Sequence, residues 1–191
     1  MSKGEETRKN IVKHALFLFS TKGYEETSLK DIAMRVNIKA PSIYAYFSSK
    51  EELFENVTNV VMEEYLVFVR SQSSLLKNLS VEEQLFTLMK KLNTYFYEHD
   101  LGLFIKRYGM VPPERFKDFL MEQYSQMEKE IRHLLYEVIE PSDHLIDREI
   151  LATAFLCMLD GMIFYLVNLS EEEYERRLRE SWEVFWRGIT K

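Results

Sequence analysis

Between Thr27 and Lys50 the chain reads TSLKDIAMRVNIKAPSIYAYFSSK, and its polar side chains there are mostly donors. Thr27, Ser28, Tyr44, Tyr46 and Lys50 carry hydroxyls or an ammonium that can bind the oxygens of a phosphate, a contact that fixes register more than it reads sequence. Lys39, Ala40, Pro41 and Ser42 open a second short apolar-periodic segment. At the leading end of a helix they are placed to approach base edges.

Other chemistry fits less well. Glu130 and His133 form a Glu-x-x-His pair of the kind that holds di-iron sites in helical bundles, which need two such pairs and two further Glu residues. His14, His99 and His144 have no Glu three places earlier, so the set is incomplete. No His-Glu-x-x-His, Cys-x-x-Cys, Gly-rich phosphate loop or Gly-x-Ser-x-Gly occurs. Neither a metal nor a cofactor is expected, and the chain does not read as an enzyme. The lone cysteine, Cys157, lies in the apolar run Phe155 to Val167 and is expected as a small buried hydrophobe. Asp160 is the unusual polar residue of that run, expected either to hydrogen-bond structurally or to orient a ligand or face a cationic one.

The donors must be positioned by local structure, and the sequence supplies it. Ser28 with Asp31 three residues on approximates a capping box, although Glu or Gln is usual at the third place. Leu29, Ile32, Ala33 and Val36 mark one helical face. Asn37 suits the left-handed residue that ends a helix. Pro41 fits a first helical turn, where a missing N–H costs nothing. Ile43 and Phe47 give the second helix a core face, and Ser48 or Ser49 can cap a third helix opened by Glu51 and Glu52. Two short helices joined by a tight turn make a helix-turn-helix, whose second helix enters a DNA major groove.

Charge follows the same division. Residues 1–50 carry nine Lys or Arg and five acids, net +4, whereas residues 51–191 carry sixteen and twenty-six, net −10. A basic head on an acidic body suits phosphate contact by the head alone. The longest apolar run is too short for a membrane span, and the first residues, MSKGEETRKN, lack the apolar core of a signal peptide. A reduced, cytoplasmic setting is therefore expected.

The stretch Ile11 to Phe54 resembles the N-terminal domain of TetR-type transcriptional regulators. The resemblance rests on Phe19-x-x-x-Gly23-Tyr24, Thr27-Ser28, Ile32-Ala33, Tyr44-x-x-Phe47 and Lys50-x-x-Leu53, in the family's order and spacing. Asn37 stands where the family usually has Gly, and Tyr46 where it often has His. The resemblance covers about a quarter of the chain and does not indicate which genes are regulated.

The rest of the chain reads as helix, giving an all-α fold with a helix-turn-helix domain at residues 1–50 and a regulatory and dimerisation body at 51–191. One long helix follows Glu51. Breaks are expected near Lys77-Asn78, at His99 to Gly102, at Pro112-Pro113 and at Pro141. The segment Ile146 to Leu169 is apolar on nearly every face, and the last helix shows a stripe of Tyr174, Leu178, Trp182, Phe185 and Ile189. Two such helices invite a symmetric partner, and the resemblance implies a homodimer joined through them, with Gly161 allowing close approach. Flexible Met and flat aromatics suit an adaptable apolar cavity. Phe86, Met89, Tyr95, Phe96, Phe104, Tyr108, Phe116, Tyr124, Met127, Met158 and Phe164, with Asp160, are its candidate lining. The resemblance implies a small effector there, apolar or amphipathic, whose binding releases a palindromic double-stranded DNA operator. The alternative reading is a helical enzyme or lipid carrier whose N-terminal bundle is only structural.

Overall fold

Helix α1 (Lys3–Thr21) begins at a capping box in which Ser2 and Glu5 satisfy each other's backbone N–H groups. It buries Ile11, Ala15, Leu18 and Phe19 along one face. Gly23, at φ 100°, then reverses the chain in a conformation few other residues adopt. Helix α2 (Leu29–Val36) ends at Asn37, which is left-handed at φ 58° and ψ 43°. The N–H of Ile38 returns to the Ala33 carbonyl at 3.0 Å, closing the turn. Ala40–Ala45 follow as a 3₁₀ helix rather than the α-helix the periodicity suggests. Pro41 has no N–H to give. The N–H groups of Ser42 and Tyr46 donate three residues back, to Lys39 and Ile43, each at 2.8 Å.

The computed structural model describes residues 2–98, 100–109, 111–139 and 145–190. Beyond the turn come α3 (Lys50–Leu76), α4 (Val81–Glu98), α5 (Asp100–Tyr108), a 3₁₀ turn at Glu114–Phe116, α6 (Lys117–Val138), α7 (Arg148–Asn168) and α8 (Glu171–Ile189). Ser49, Ser80 and Ser170 accept the N–H groups of Glu52, Glu83 and Glu173 and so start α3, α4 and α8. The break at Lys77 falls where it was expected. At the next, α5 opens at Asp100 and takes in Gly102, because a Cβ there would run into the Phe96 carbonyl oxygen at the end of α4. The expected stop at Pro141, together with His99, Met110 and His144, lies outside the described residues.

Two apolar cores result. The first gathers the head around Phe19, Ile32, Ile43, Phe47 and Phe54. The second gathers α3, α4, α6, α7 and α8 around Tyr65, Leu88, Leu92, Leu135, Phe155 and Leu178. Helix α3 serves both. The boundary expected at residue 50 thus falls at the first residue of a continuous helix, and the head's core also takes in Phe104, Tyr108, Phe116 and Leu120. The described residues contain no strand; one antiparallel bridge joins Leu145 to Thr190. None of the described helices is long and apolar enough to cross a membrane.

Candidate nucleic-acid interface and body cavity

The segment from Lys39 to Tyr44 projects from the head with Lys39, Pro41, Ser42 and Tyr44 exposed, while Ile43 and Phe47 anchor it in the core. Tyr46 and Ala40 are half-buried. Ser28 is exposed at the start of α2, where the capping box is complete despite the shorter acid. Ser28 Oγ accepts from the Asp31 N–H at 3.1 Å, and an Asp31 carboxylate oxygen accepts from the Ser28 N–H, also at 3.1 Å. The Ser28 side-chain and backbone donors hold the Asp31 carboxyl below its usual range.

Two of the expected phosphate donors are engaged inside the protein. Thr27 is buried, and its hydroxyl donates to the Gly23 carbonyl at 2.7 Å, with the Leu18 carbonyl at 3.3 Å. Lys50 Nζ donates to the Tyr24 carbonyl at 2.9 Å and lies 4.2 Å from the centre of the Tyr24 ring. Both residues shape the loop after α1. Local spacing could not distinguish this use from phosphate contact, because the partner carbonyls are brought in by tertiary folding.

Sequence reasoning missed the clamp between head and body. Helix α1 has no basic residue in its last turn, and α5 supplies the cation. The Arg107 guanidinium donates to the Ser20 carbonyl at 3.0 Å, the Thr21 carbonyl at 2.7 Å and the Lys22 carbonyl at 3.3 Å. These carbonyls carry the negative end of the helix dipole. Beside it, Tyr108 Oη donates to the Phe19 carbonyl at 2.9 Å. Phe54 forms the apolar part of the joint: its ring centre is 4.4 Å from Phe116, 5.1 Å from Tyr108, 5.2 Å from Tyr24 and 5.7 Å from Phe104. Arg115 closes the outer edge through an ion pair with Glu51 at 2.8 Å.

Within the body, α4 to α7 enclose a cavity of about 720 Å³, within the range of small-molecule sites. Of the twelve candidate lining residues, Phe96, Tyr124, Met127, Asp160 and Phe164 face it. Phe104, Tyr108 and Phe116 pack instead around Phe54. Phe86 meets Trp182, Tyr95 stacks on Phe68 at 4.3 Å, and Met89 and Met158 join the body core. Ile105, Ile131, Leu156 and Ile163 complete much of the apolar wall. Aromatic content alone could not separate wall from core, since both are apolar. Cys157 is exposed and lines the cavity, contrary to the expectation of burial, because α7 turns one face away from the body core. Glu130 pairs with Arg70 at 2.8 Å, and His133 is exposed beside Glu137.

A donor-bearing helix-turn-helix clamped to a helical body with its own cavity defines a DNA-binding regulator. Residues 11–57 match the model described as "Bacterial regulatory proteins, tetR family". The N-terminal segment of the chain thus matches the DNA-binding domain of tetR-family transcriptional regulators, and most of the chain is similar to curated HTH-type transcriptional regulators. Over 132 residues it is 28% identical to the probable HTH-type transcriptional regulator YttP of Bacillus subtilis, a match taking in 69% of this chain and 63% of that protein. Over 156 residues it is 26% identical to IcaR of Staphylococcus epidermidis, the negative regulator of the biofilm operon icaADBC, covering 81% and 80% of the two chains. A TetR-family regulator from Mesorhizobium loti superposes with a TM-score of 0.77 at 19% identity, over the whole of both chains.

Proposed function

We propose that the protein is a homodimeric repressor that leaves a palindromic operator when a small apolar or amphipathic molecule enters the body cavity. The observation that carries this reading is the double use of α5. Ile105 and Gly109, at its end, line the cavity, while Arg107 and Tyr108 between them hold the last turn of α1. A molecule seated against Ile105 therefore bears on the element that positions the head. Residues 1–50 act as the DNA-reading unit, and residues 51–191 bind the effector and dimerise.

Lys39, Ala40, Pro41 and Ser42 approach base edges. Ser28, Tyr44 and Tyr46 meet phosphates, and Thr27 and Lys50 support them from within. Dimerisation uses α7 and α8, where Ile150 and Val184 are large apolar side chains exposed on the single chain. The two heads then face successive major grooves about one helical turn apart. The effector separates them only to the extent that it binds the released arrangement more tightly than the DNA-bound one. The negative regulation carried out by IcaR supports repression as the sign of control. A cytoplasmic location follows from work on the chromosome.

Selection of bound fragments from a genomic DNA pool tests this function. The expected outcome is a recurrent two-fold symmetric site near genes whose products handle one class of small molecule. Recovery of unrelated fragments without a shared site would refute it.

A further inference from the structure

We propose that the effector is an organic cation, a lipophilic amine or quaternary ammonium whose charge faces Asp160 and whose hydrocarbon part lies against the cavity's apolar wall. This rests on the cavity being the effector site and adds the ligand's chemical class.

The charged groups on the wall decide the sign. They are two carboxylates, Glu128 and Asp160, and one guanidinium, Arg132. Arg132 is already engaged: its Nε lies 2.8 Å from Glu128, its terminal nitrogens lie 3.3 and 3.4 Å from the Thr153 hydroxyl, and Glu149 is 3.8 Å away. Glu128 is thereby neutralised. Asp160 has no hydrogen bond or ion pair among the described residues, so the wall keeps one uncompensated negative charge. Asp160 is exposed on the single chain, yet the desolvation it does undergo in the cavity wall, and then the nearby Glu128, raise its carboxyl above the ordinary range. That is the state of an anion short of a counter-charge.

The remaining surface also suits a cation. Phe96, Tyr124 and Phe164 face the cavity, and aromatic faces attract ammonium groups more strongly once water is excluded. The Tyr124 hydroxyl is buried and has no hydrogen-bond partner among the described residues, an acceptor that becomes usable by a protonated amine once the ring turns towards the cavity it lines. An anionic amphiphile would meet the unpaired Asp160 carboxylate and no free cation on the wall. A neutral one would cover the exposed Asp160 without compensating it, which is unfavourable for a charge taken out of water.

Calorimetric titration of the full-length protein with decyltrimethylammonium, 1-decanol and decanoate, each below its micellar concentration, tests this. The cation is expected to bind at least about tenfold more tightly than the alcohol, with decanoate the weakest, since one tenfold step is a modest charge–charge gain. In Asp160→Asn the cation should lose its advantage and fall to the level of 1-decanol measured on the same variant, whose own affinity should rise as the uncompensated charge is removed. Equal binding of all three by the wild-type protein, or a cation preference that survives Asp160→Asn, would overturn the charge assignment and leave the effector cavity standing. Failure of all three to bind would remove the cavity reading with it. The wild-type series decides the matter even where the variant folds poorly.

Discussion

Lys50 and Lys39 carry the same charge and do different work. The Lys50 ammonium is spent on the Tyr24 carbonyl and ring, whereas Lys39 is exposed at the start of the 3₁₀ helix. Lys50→Ala is expected to lower stability by roughly 0.5–2 kcal/mol, the usual range for one charge-assisted hydrogen bond and a cation–π contact. Lys39→Ala should leave the melting temperature alone and weaken DNA binding. Thermal melting combined with DNA titration at several salt concentrations separates them; equal effects of the two variants on melting would contradict the distinction. A third residue gives a pH test. Glu173 accepts from Arg176 and from Arg177, and these bonds hold its carboxyl down to about 2 from an ordinary 4.5. Because the folded value is depressed, its contribution is complete above the ordinary range and is lost as pH falls from about 4.5 towards 2. A carbon-13 titration of Glu173 should therefore give a midpoint near the bottom of that window, and a midpoint at the ordinary value would disprove the pairing in solution.

At the scale of elements, α5 is short and joins two regions the sequence keeps far apart. Phe104 and Tyr108 sit in the head's core while Ile105 and Gly109 sit on the cavity, one residue on in each case and so on the adjacent face, about 100° around the helix axis. Tyr108→Phe removes a hydroxyl whose acceptor, the Phe19 carbonyl, still receives the Gly23 N–H at 3.1 Å. Its cost should stay near 0.5–1.5 kcal/mol. Arg107→Ala strips the cap from α1 and should reduce the effect of effector on DNA affinity more than it reduces effector binding itself. Calorimetry of effector binding, run beside DNA titrations with and without effector, checks this; unchanged coupling would place the route elsewhere, along α3. The caps and turns of the head were legible beforehand because they depend on neighbours three or four residues away: Ser28 with Asp31, Asn37, Pro41, Ser49 with Glu52. The clamp was not, since Arg107 and the carbonyls of α1 are separated by more than eighty residues. Nor was the cavity wall, because helical periodicity marks Phe96 and Phe104 alike as inward-facing and says nothing of which interior each one meets.

At the scale of the whole molecule, binding a palindromic operator requires two heads at a fixed spacing. The exposed side chains Ile150 on α7 and Val184 on α8 give the means to test the joint between them. Ile150→Glu with Val184→Glu should yield a monomer by sedimentation that keeps its helical content, since neither side chain belongs to either core. Its DNA affinity should fall by several orders of magnitude as the second half-site contact is lost; retention of a dimer would move the interface to another face. The charge division, +4 in residues 1–50 against −10 in the remainder, adds that only the heads should lie against the phosphates. The most direct test of the central claim is footprinting of the wild-type protein on a selected genomic site, repeated across a range of salt. Two symmetric protected half-sites about one helical turn apart, fading together as salt rises, are predicted. A single asymmetric footprint, or protection indifferent to salt, would contradict it.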